Sequence, residues 1–296
     1  METIDSIKRL EERMARLKGQ GKEIGLVPTM GALHEGHLSL IRRARDENDV
    51  VVLSIFVNPI QFNRKDDYLS YPRNQDRDKA LCFREGVDFL FVPKVEEMYQ
   101  EGFSTYVEVE GLTDRLCGAS RPGHFRGVTT VVTKLFNIVR PDRAYFGQKD
   151  FQQTVVIKRM VRDLNLNVEV LTLPTIREAD GLALSSRNQL LRQGERQVAS
   201  ALYRSLLEAR ELFALGIRDS RRIIQQMHDV LHKAGIFRID YITLVDLESL
   251  EELEGARAGA VVALAAWVGN VRLIDNMTLE EVTSQLKARH KLGVNV

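Results

Sequence analysis

The 296-residue chain is poor in most of the residues that mark a special class of protein. It has two cysteines, Cys82 and Cys117, far apart and with no CxxC or Cys/His spacing around them. That excludes a disulfide framework and offers no zinc pattern, and the simplest compartment for such a chain is the reducing cytoplasm. Seven prolines and 20 glycines are too few for a collagenous or low-complexity chain. Neither sign of charge is in excess: 42 Lys and Arg stand against 41 Asp and Glu, a net charge of +1. The basic footprint of a dedicated nucleic-acid binder is therefore missing. The longest apolar run, 258–269, falls well short of the roughly 20 residues a membrane helix needs, and its Val, Leu and Trp content suits a buried strand. The first residues include Glu2 and Asp5 and no apolar stretch, unlike a secretory signal. What remains is ordinary globular composition, 44% hydrophobic and 28% charged, at a length that suggests about two domains.

Short apolar or β-branched runs alternate with helical patterns through the first part of the chain. Segments 23–27, 50–57, 87–92 and 143–146 read as strands. Segment 37–48 reads as a helix, with Leu38, Ile41 and Ala44 at spacing three, and 127–139 and 150–164 read likewise. Alternation of this kind predicts a parallel sheet with helices on both faces. Segment 105–110 alternates apolar with polar residues and is expected to be a half-exposed strand off that sheet. Beyond Pro174 the pattern changes to two helices, 196–215 and 220–234, and three strands, 239–247, 261–268 and 271–274. Only Gly269 and Asn270 separate the last two strands, a two-residue hairpin signal. The expected fold class is α/β: a Rossmann-like parallel-sheet domain over 1–175, followed by a smaller α+β domain over 176–296. The tail from Thr278 reads as a polar surface helix.

The most informative segment is Pro28-Thr29-Met30-Gly31-Ala32-Leu33-His34-Glu35-Gly36-His37, which follows the first predicted strand and opens the first predicted helix. Ligands of open α/β sheets sit beyond the carboxyl ends of the strands. A fresh helix start offers unpaired N–H groups and a positive dipole end to an anion. Gly31 and Gly36 allow close backbone approach, and His34 and His37, three apart, can reach one side and donate to phosphate oxygens. The spacing is not that of HExxH zinc sites, and no third ligand is apparent. Asn58 and Gln61 lie just past the strongest strand, where their amides suit a hydroxy-acid carboxylate and its hydroxyls; a plain turn around Pro59 is the alternative. Gly147-Gln148-Lys149-Asp150 follows another apolar strand, with Asp150 suited to an N-cap. The loop Arg121 to Gly127 is either anion-facing or a solvated helix start. Ser185-Ser186-Arg187 is either a phosphate clamp of two hydroxyls and a guanidinium or a polar linker.

His34-Glu35-Gly36-His37 resembles the HIGH signature of the nucleotidyl-transferring α/β superfamily. Within it, the stretch from Pro28 to His37 resembles the pantothenate synthetase family, as do Phe56-Val57-Asn58-Pro59-Ile60-Gln61-Phe62, Arg121-Pro122-Gly123-His124-Phe125-Arg126-Gly127, Tyr145-Phe146-Gly147-Gln148-Lys149-Asp150-Phe151-Gln152-Gln153, the segment 177–188 and Arg272-Leu273-Ile274-Asp275-Asn276. The matches are collinear and span nearly the whole chain to Asn276.

The resemblance implies ATP, (R)-pantoate and β-alanine as substrates, a pantoyl-adenylate intermediate, Mg²⁺ carried by the ATP phosphates, and a homodimer. It implies ATP contacts from Met30, Gly31, Ala32, Leu33, His34, Glu35, Gly36 and His37, from Gly147, Gln148, Lys149 and Asp150, and from Ile176 (main chain), Leu184, Ser185, Ser186 and Arg187. It assigns catalysis to His34, His37, Lys149, Ser185, Ser186 and Arg187, with a proton-donor role for His37. Gln61, Gln153, Asn58, Tyr71 and Val132 are the implied pantoate and β-alanine contacts; Tyr71, read from sequence as an exposed residue before Pro72, would form a pocket wall. No metal-ligating residue is implied. Two rivals are a HIGH-motif nucleotidyltransferase acting on a small phosphorylated acceptor, and an RNA-binding module, against which the charge balance counts.

Overall fold

Val50–Ile55 is buried at every position, as an apolar run without alternation requires of a strand inside a parallel sheet. It is β3 of a six-stranded sheet in a computed structural model that describes residues 1–280. The sheet contains β1 (Glu2–Ile4), β2 (Ile24–Thr29), β3, β4 (Phe89–Phe91), β5 (Arg143–Gly147) and β6 (Glu169–Leu173), in the order β1-β4-β3-β2-β5-β6. All of its pairings are parallel. β2 pairs with β3 along all six of its residues but with β5 only at Gly25↔Arg143 and Leu26↔Ala144. The chain order reverses at β2, so the carboxyl ends of β2 and β5 flank the switch point where such sheets bind ligands.

The helices of this part are α1 (Ile7–Gly19), α2 (Glu35–Glu47), α3 (Lys65–Ser70), α4 (Gln75–Arg84), α5 (Val95–Met98), α6 (Cys117–Ser120), α7 (His124–Val139) and α8 (Phe151–Asp163). α7 is apolar nearly all round and correspondingly buried. The second part holds α9 (Gln193–Ala199), α10 (Ala201–Ala214) and α11 (Ser220–Lys233) with an antiparallel sheet of β7 (Ile239–Val245), β8 (Val261–Val268) and β9 (Val271–Thr278). The hairpin at Gly269 and Asn270 forms, with Val268 opposite Val271 and φ +57° at Gly269. Two compact units result: Met1–Glu178 with Ala183–Leu190, and Ala179–Leu182 with the residues from Leu191 onward. The fold class is thus the expected one, α/β with a smaller α+β unit. Among the described residues no helix is long and apolar enough to cross a membrane.

Segment 105–110 is not a strand. The Val107 N–H donates to Thr130 Oγ1 at 3.0 Å, and the Val107 carbonyl accepts from Thr129 Oγ1 at 2.5 Å. Hydroxyls on α7 thus satisfy the backbone that a neighbouring strand would otherwise pair. The predicted helix 196–215 is two helices, α9 and α10, meeting at Ser200, whose φ −61° and ψ −17° are tighter than α-helical. The Ser200 hydroxyl bonds back to the Gln197 carbonyl at 3.0 Å, a local competitor to the helical ladder. The predicted tail helix begins at Thr278, which is instead the last residue of β9; from 281 onward it lies outside the described residues.

Candidate active site

The segment after β2 runs through two left-handed residues, Gly31 (φ +81°) and Ala32 (φ +50°), before α2 begins. A Cβ at Gly31 would lie 3.0 Å from both Asp78 Oδ2 and Ile55 Cγ2, so only glycine fits this turn without a shift. The turn aims the N–H groups of Ala32 and Leu33 at the Asp78 carboxylate, each at 2.8 Å. Asp78 is 1% exposed and sits in the first turn of α4, where the helix dipole favours its charge. The anion that occupies this loop is therefore internal. Ala32 and Leu33 are buried, and neither they nor Gly31 line the cleft described below.

His34 is the N-cap of α2, and His37 stands at its third position. The Gly36 N–H donates to His34 Nδ1 at 3.2 Å, and the His34 N–H donates to His37 Nδ1 at 3.3 Å. This is a capping box built from imidazoles. Because both Nδ1 atoms accept, the proton of each neutral ring is on Nε2. The ring centroids are 4.1 Å apart. Gly36 makes room for the pair, since a Cβ there would lie 3.0 Å from His34 Nδ1. Burial, reinforced by Lys149, lowers His34 from the ordinary 6.5 to about 4. Burial, then His34 and Lys149, hold His37 well below 6.5. Both rings are neutral hydrogen-bond donors at neutral pH.

This arrangement makes stability pH-dependent. Unfolded, His34 takes up its proton near 6.5; folded, only near 4. Between those values the unfolded chain binds the additional proton, so stability is full above about 6.5 and falls as pH drops toward about 4. Melting temperatures measured from neutral pH downward should show that decline. His34→Asn, which keeps an N-cap residue, should flatten it; an unchanged slope would remove His34 as its source.

One cleft, lined wholly by residues of the first unit, collects the other predicted groups. Its walls include Met30, His34, Gly36, His37, Gly147, Lys149 and Asp150 from the ends of β2 and β5, Gln61, Tyr71, Val132 and Gln153 beside them, and Ile176, Leu184, Ser185, Ser186 and Arg187. Lys149 lies in the turn Gln148–Asp150 directly after β5, with its Nζ 3.8 Å from Asp150. Asp150 takes the N-cap position of α8 but makes no side-chain cap bond. The Ser185 hydroxyl accepts from the Arg187 N–H at 3.3 Å, and the Ser186 hydroxyl donates to the Ala32 carbonyl at 3.1 Å. Arg187 donates to both carboxylate oxygens of Asp67 at 3.2 Å. Leu184 N–H donates to the Ile176 carbonyl at 3.0 Å, closing the loop that carries the serines.

Besides Gly31, Ala32 and Leu33, three more predicted contacts stand off the cleft wall. Glu35 pairs with Arg42 on the exposed side of α2, and Gln148 does not line the cleft. Asn58 is fully buried and turned into the protein, bonded to Gln61, Gly127 and Tyr99. Tyr71, expected to be exposed, is 7% exposed, because its ring packs edge-on to Phe62. The Arg121–Gly127 loop faces the cleft through Arg121 and His124. An Arg121 guanidinium N–H meets His124 Nε2 at 3.2 Å, so His124 Nδ1 carries the proton and donates to the Gln61 carbonyl at 2.8 Å. Sequence reasoning missed Asp78, Tyr99 and Thr175. The Thr175 hydroxyl is buried in the cleft wall with no partner among the described residues, a cost that a ligand would relieve.

A parallel sheet with a histidine-capped helix, a lysine and a Ser-Ser-Arg loop lining one cleft at its switch point defines an α/β protein with a candidate anion-binding site. Comparison with known proteins narrows that class. The family described as pantoate-beta-alanine ligase matches residues 2–278. The pantothenate synthetase of Moorella thermoacetica is 55% identical over 280 residues, covering 95% of this chain and 99% of that protein. That of Thermotoga petrophila is 58% identical over 279 residues, covering 94% and 99%. The crystal structure of the Thermus thermophilus pantothenate synthetase superposes with a TM-score of 0.90 at 49% identity, covering 95% of this chain and 100% of that one. The Francisella tularensis pantoate-beta-alanine ligase, solved with beta-gamma ATP and β-alanine, gives 0.80 at 37% identity, covering 94% and 97%. The chain belongs to the pantoate–β-alanine ligase family.

Proposed function

We propose that this protein joins (R)-pantoate to β-alanine at the expense of ATP, through pantoyl adenylate, releasing pyrophosphate and then AMP. The observation that carries the reading is the convergence in one cleft of two neutral Nε2–H donors, Lys149 and the Ser185-Ser186-Arg187 loop, with two glutamines beside them. The Francisella relative solved with a nucleotide and β-alanine supports it.

In the first step a pantoate carboxylate oxygen bonds to the α-phosphorus of ATP, and the bond to pyrophosphate breaks. The nucleophile comes from the substrate, so the protein's part is positioning and electrostatics. Lys149 stabilises charge developing on the α-phosphate, and His34 and His37 donate Nε2–H to phosphate oxygens. Ser185, Ser186 and Arg187 hold the outgoing phosphates, which requires Arg187 to exchange Asp67 for them. Gln61 and Gln153 grip pantoate, with Val132 against its methyl groups. The Ile176 main chain and Leu184 take the adenine side. In the second step the amine of β-alanine attacks the acyl carbon, a C–N bond forms, AMP leaves with the C–O electrons, and the amine gives up a proton.

Asp150 is the acidic side chain among those lining the cleft, and among the described residues no cluster of three or more His, Cys, Asp or Glu could hold a metal. A Mg²⁺ brought in on the ATP phosphates would be met here by Asp150, and it would offset phosphate charge. The same reading makes the protein a cytoplasmic homodimer.

The test is pantoate-dependent exchange of labelled pyrophosphate into ATP without β-alanine. Exchange is expected, because the first step is complete without the amine. Folded protein that makes pantothenate but shows no exchange would overturn the adenylate route.

A further inference from the structure

The side chain of Gln61 is oriented from outside the cleft. Asn58 Nδ2 donates to the Gly127 carbonyl and to Gln61 Oε1, both at 3.0 Å. A carbonyl oxygen only accepts, so the Asn58 amide cannot be reversed against Gly127. Gln61 Oε1 is thereby occupied and its NH₂ is left over, lying 3.3 Å from the weak acceptor Met30 Sδ. That leaves an amide that donates, the polarity a carboxylate substrate needs.

The remaining atom of Asn58, Oδ1, is paired with the Tyr99 hydroxyl at 2.7 Å. Tyr99 follows α5, 41 residues away in sequence, and does not line the cleft. Its ring is held by Phe103, centroids 4.9 Å apart and edge-on, and by Phe56 at 6.0 Å. Asn58 is 0% exposed, so its Oδ1 would have no water to turn to if that hydroxyl were lost. The turn is also pressed close to α7: a Cβ at Gly127 would lie 2.6 Å from the Ile60 carbonyl and 2.7 Å from Gln61 N. A loosened Asn58 has little room to find another position without moving Gln61.

We propose that Tyr99 is a positioning residue for pantoate binding: its hydroxyl completes the three hydrogen bonds that hold Asn58, and through Asn58 it fixes the Gln61 amide as a donor. The proposal rests on the reading that Gln61 contacts pantoate. Tyr99→Phe keeps the ring and removes only the hydroxyl. It should raise the pantoate KM about fivefold, the effect of losing one neutral hydrogen bond, while kcat and the ATP KM stay within about twofold and the melting temperature falls by a few degrees, the cost of one buried acceptor left unpaired.

A double-mutant cycle decides whether the effect travels through Gln61. In a Gln61→Ala background, Tyr99→Phe should have no further effect on the pantoate KM. An undiminished effect in that background, or an equal rise in both KM values, would overturn the proposal, as would a wild-type pantoate KM for Tyr99→Phe alone. If Gln61→Ala itself leaves the pantoate KM unchanged, the contact between Gln61 and pantoate is what fails.

Discussion

Replacing Lys149 with alanine should lower turnover by about 10²- to 10³-fold, the usual cost of removing one group that stabilises charge in a transition state. Stability should barely change. Its 3.8 Å approach to the half-exposed Asp150 is a loose one, and such pairs contribute little. The substitution carries a second signature. Lys149 is among the causes that lower both His34 and His37. Without it, each ring should titrate at a higher pH than in the parent protein, visible by NMR. Lys149→Arg should restore the histidine titration better than the rate, because a guanidinium spreads its charge over a planar fork where the lysine supplies a point charge. A near-parental rate for Lys149→Ala would remove the residue from the chemistry. A collapsed fold would instead show that its role is structural.

Asp78→Ala should be the most damaging single change to stability, by about 2–5 kcal/mol in denaturant unfolding. Its two oxygens are the acceptors of the Ala32 and Leu33 N–H groups, and all three residues are buried. Alanine would leave two buried donors without their acceptor. Asn should recover little, because its NH₂ would meet one N–H head-on. The damage should extend to ATP binding, since the turn that Asp78 shapes leads directly into His34. An unfolding midpoint within error of the parent's would show that the loop holds its form without the carboxylate.

Neither Asp78 nor Tyr99 is legible in the sequence, and the reason is separation along the chain. Asp78 meets its partners 45 and 46 residues away, and Tyr99 meets Asn58 at 41. Nothing in a local pattern distinguishes an aspartate in a first helical turn that caps a distant loop from one that only complements its own dipole. Local chemistry reads more readily. The two histidines and their flanking glycines share one helix start, and Lys149 sits one turn past an apolar strand. The fold follows the same division. β3, without a polar face, declares itself a strand in the middle of a sheet. β6 is half-exposed along its length and β1 has three residues, too faint a pattern to stand out. Segment 105–110 has the alternation of a strand, yet the hydroxyls that satisfy it belong to α7, more than 20 residues further on.

The partial pairing of β2 with β5 has a consequence for ligand entry. The two strands share a ladder at Gly25 and Leu26 and then part, so Val27, Pro28 and Thr29 have a sheet partner on the β3 side alone. The seam between the strands is thus a gap in the secondary structure from the outset. A ligand can wedge into it without rupturing a main-chain bond, and the amides of the paired residues should exchange with deuterium as slowly before binding as after. The scaffold is spared the cost of opening, and binding has only side chains and loops to set in order.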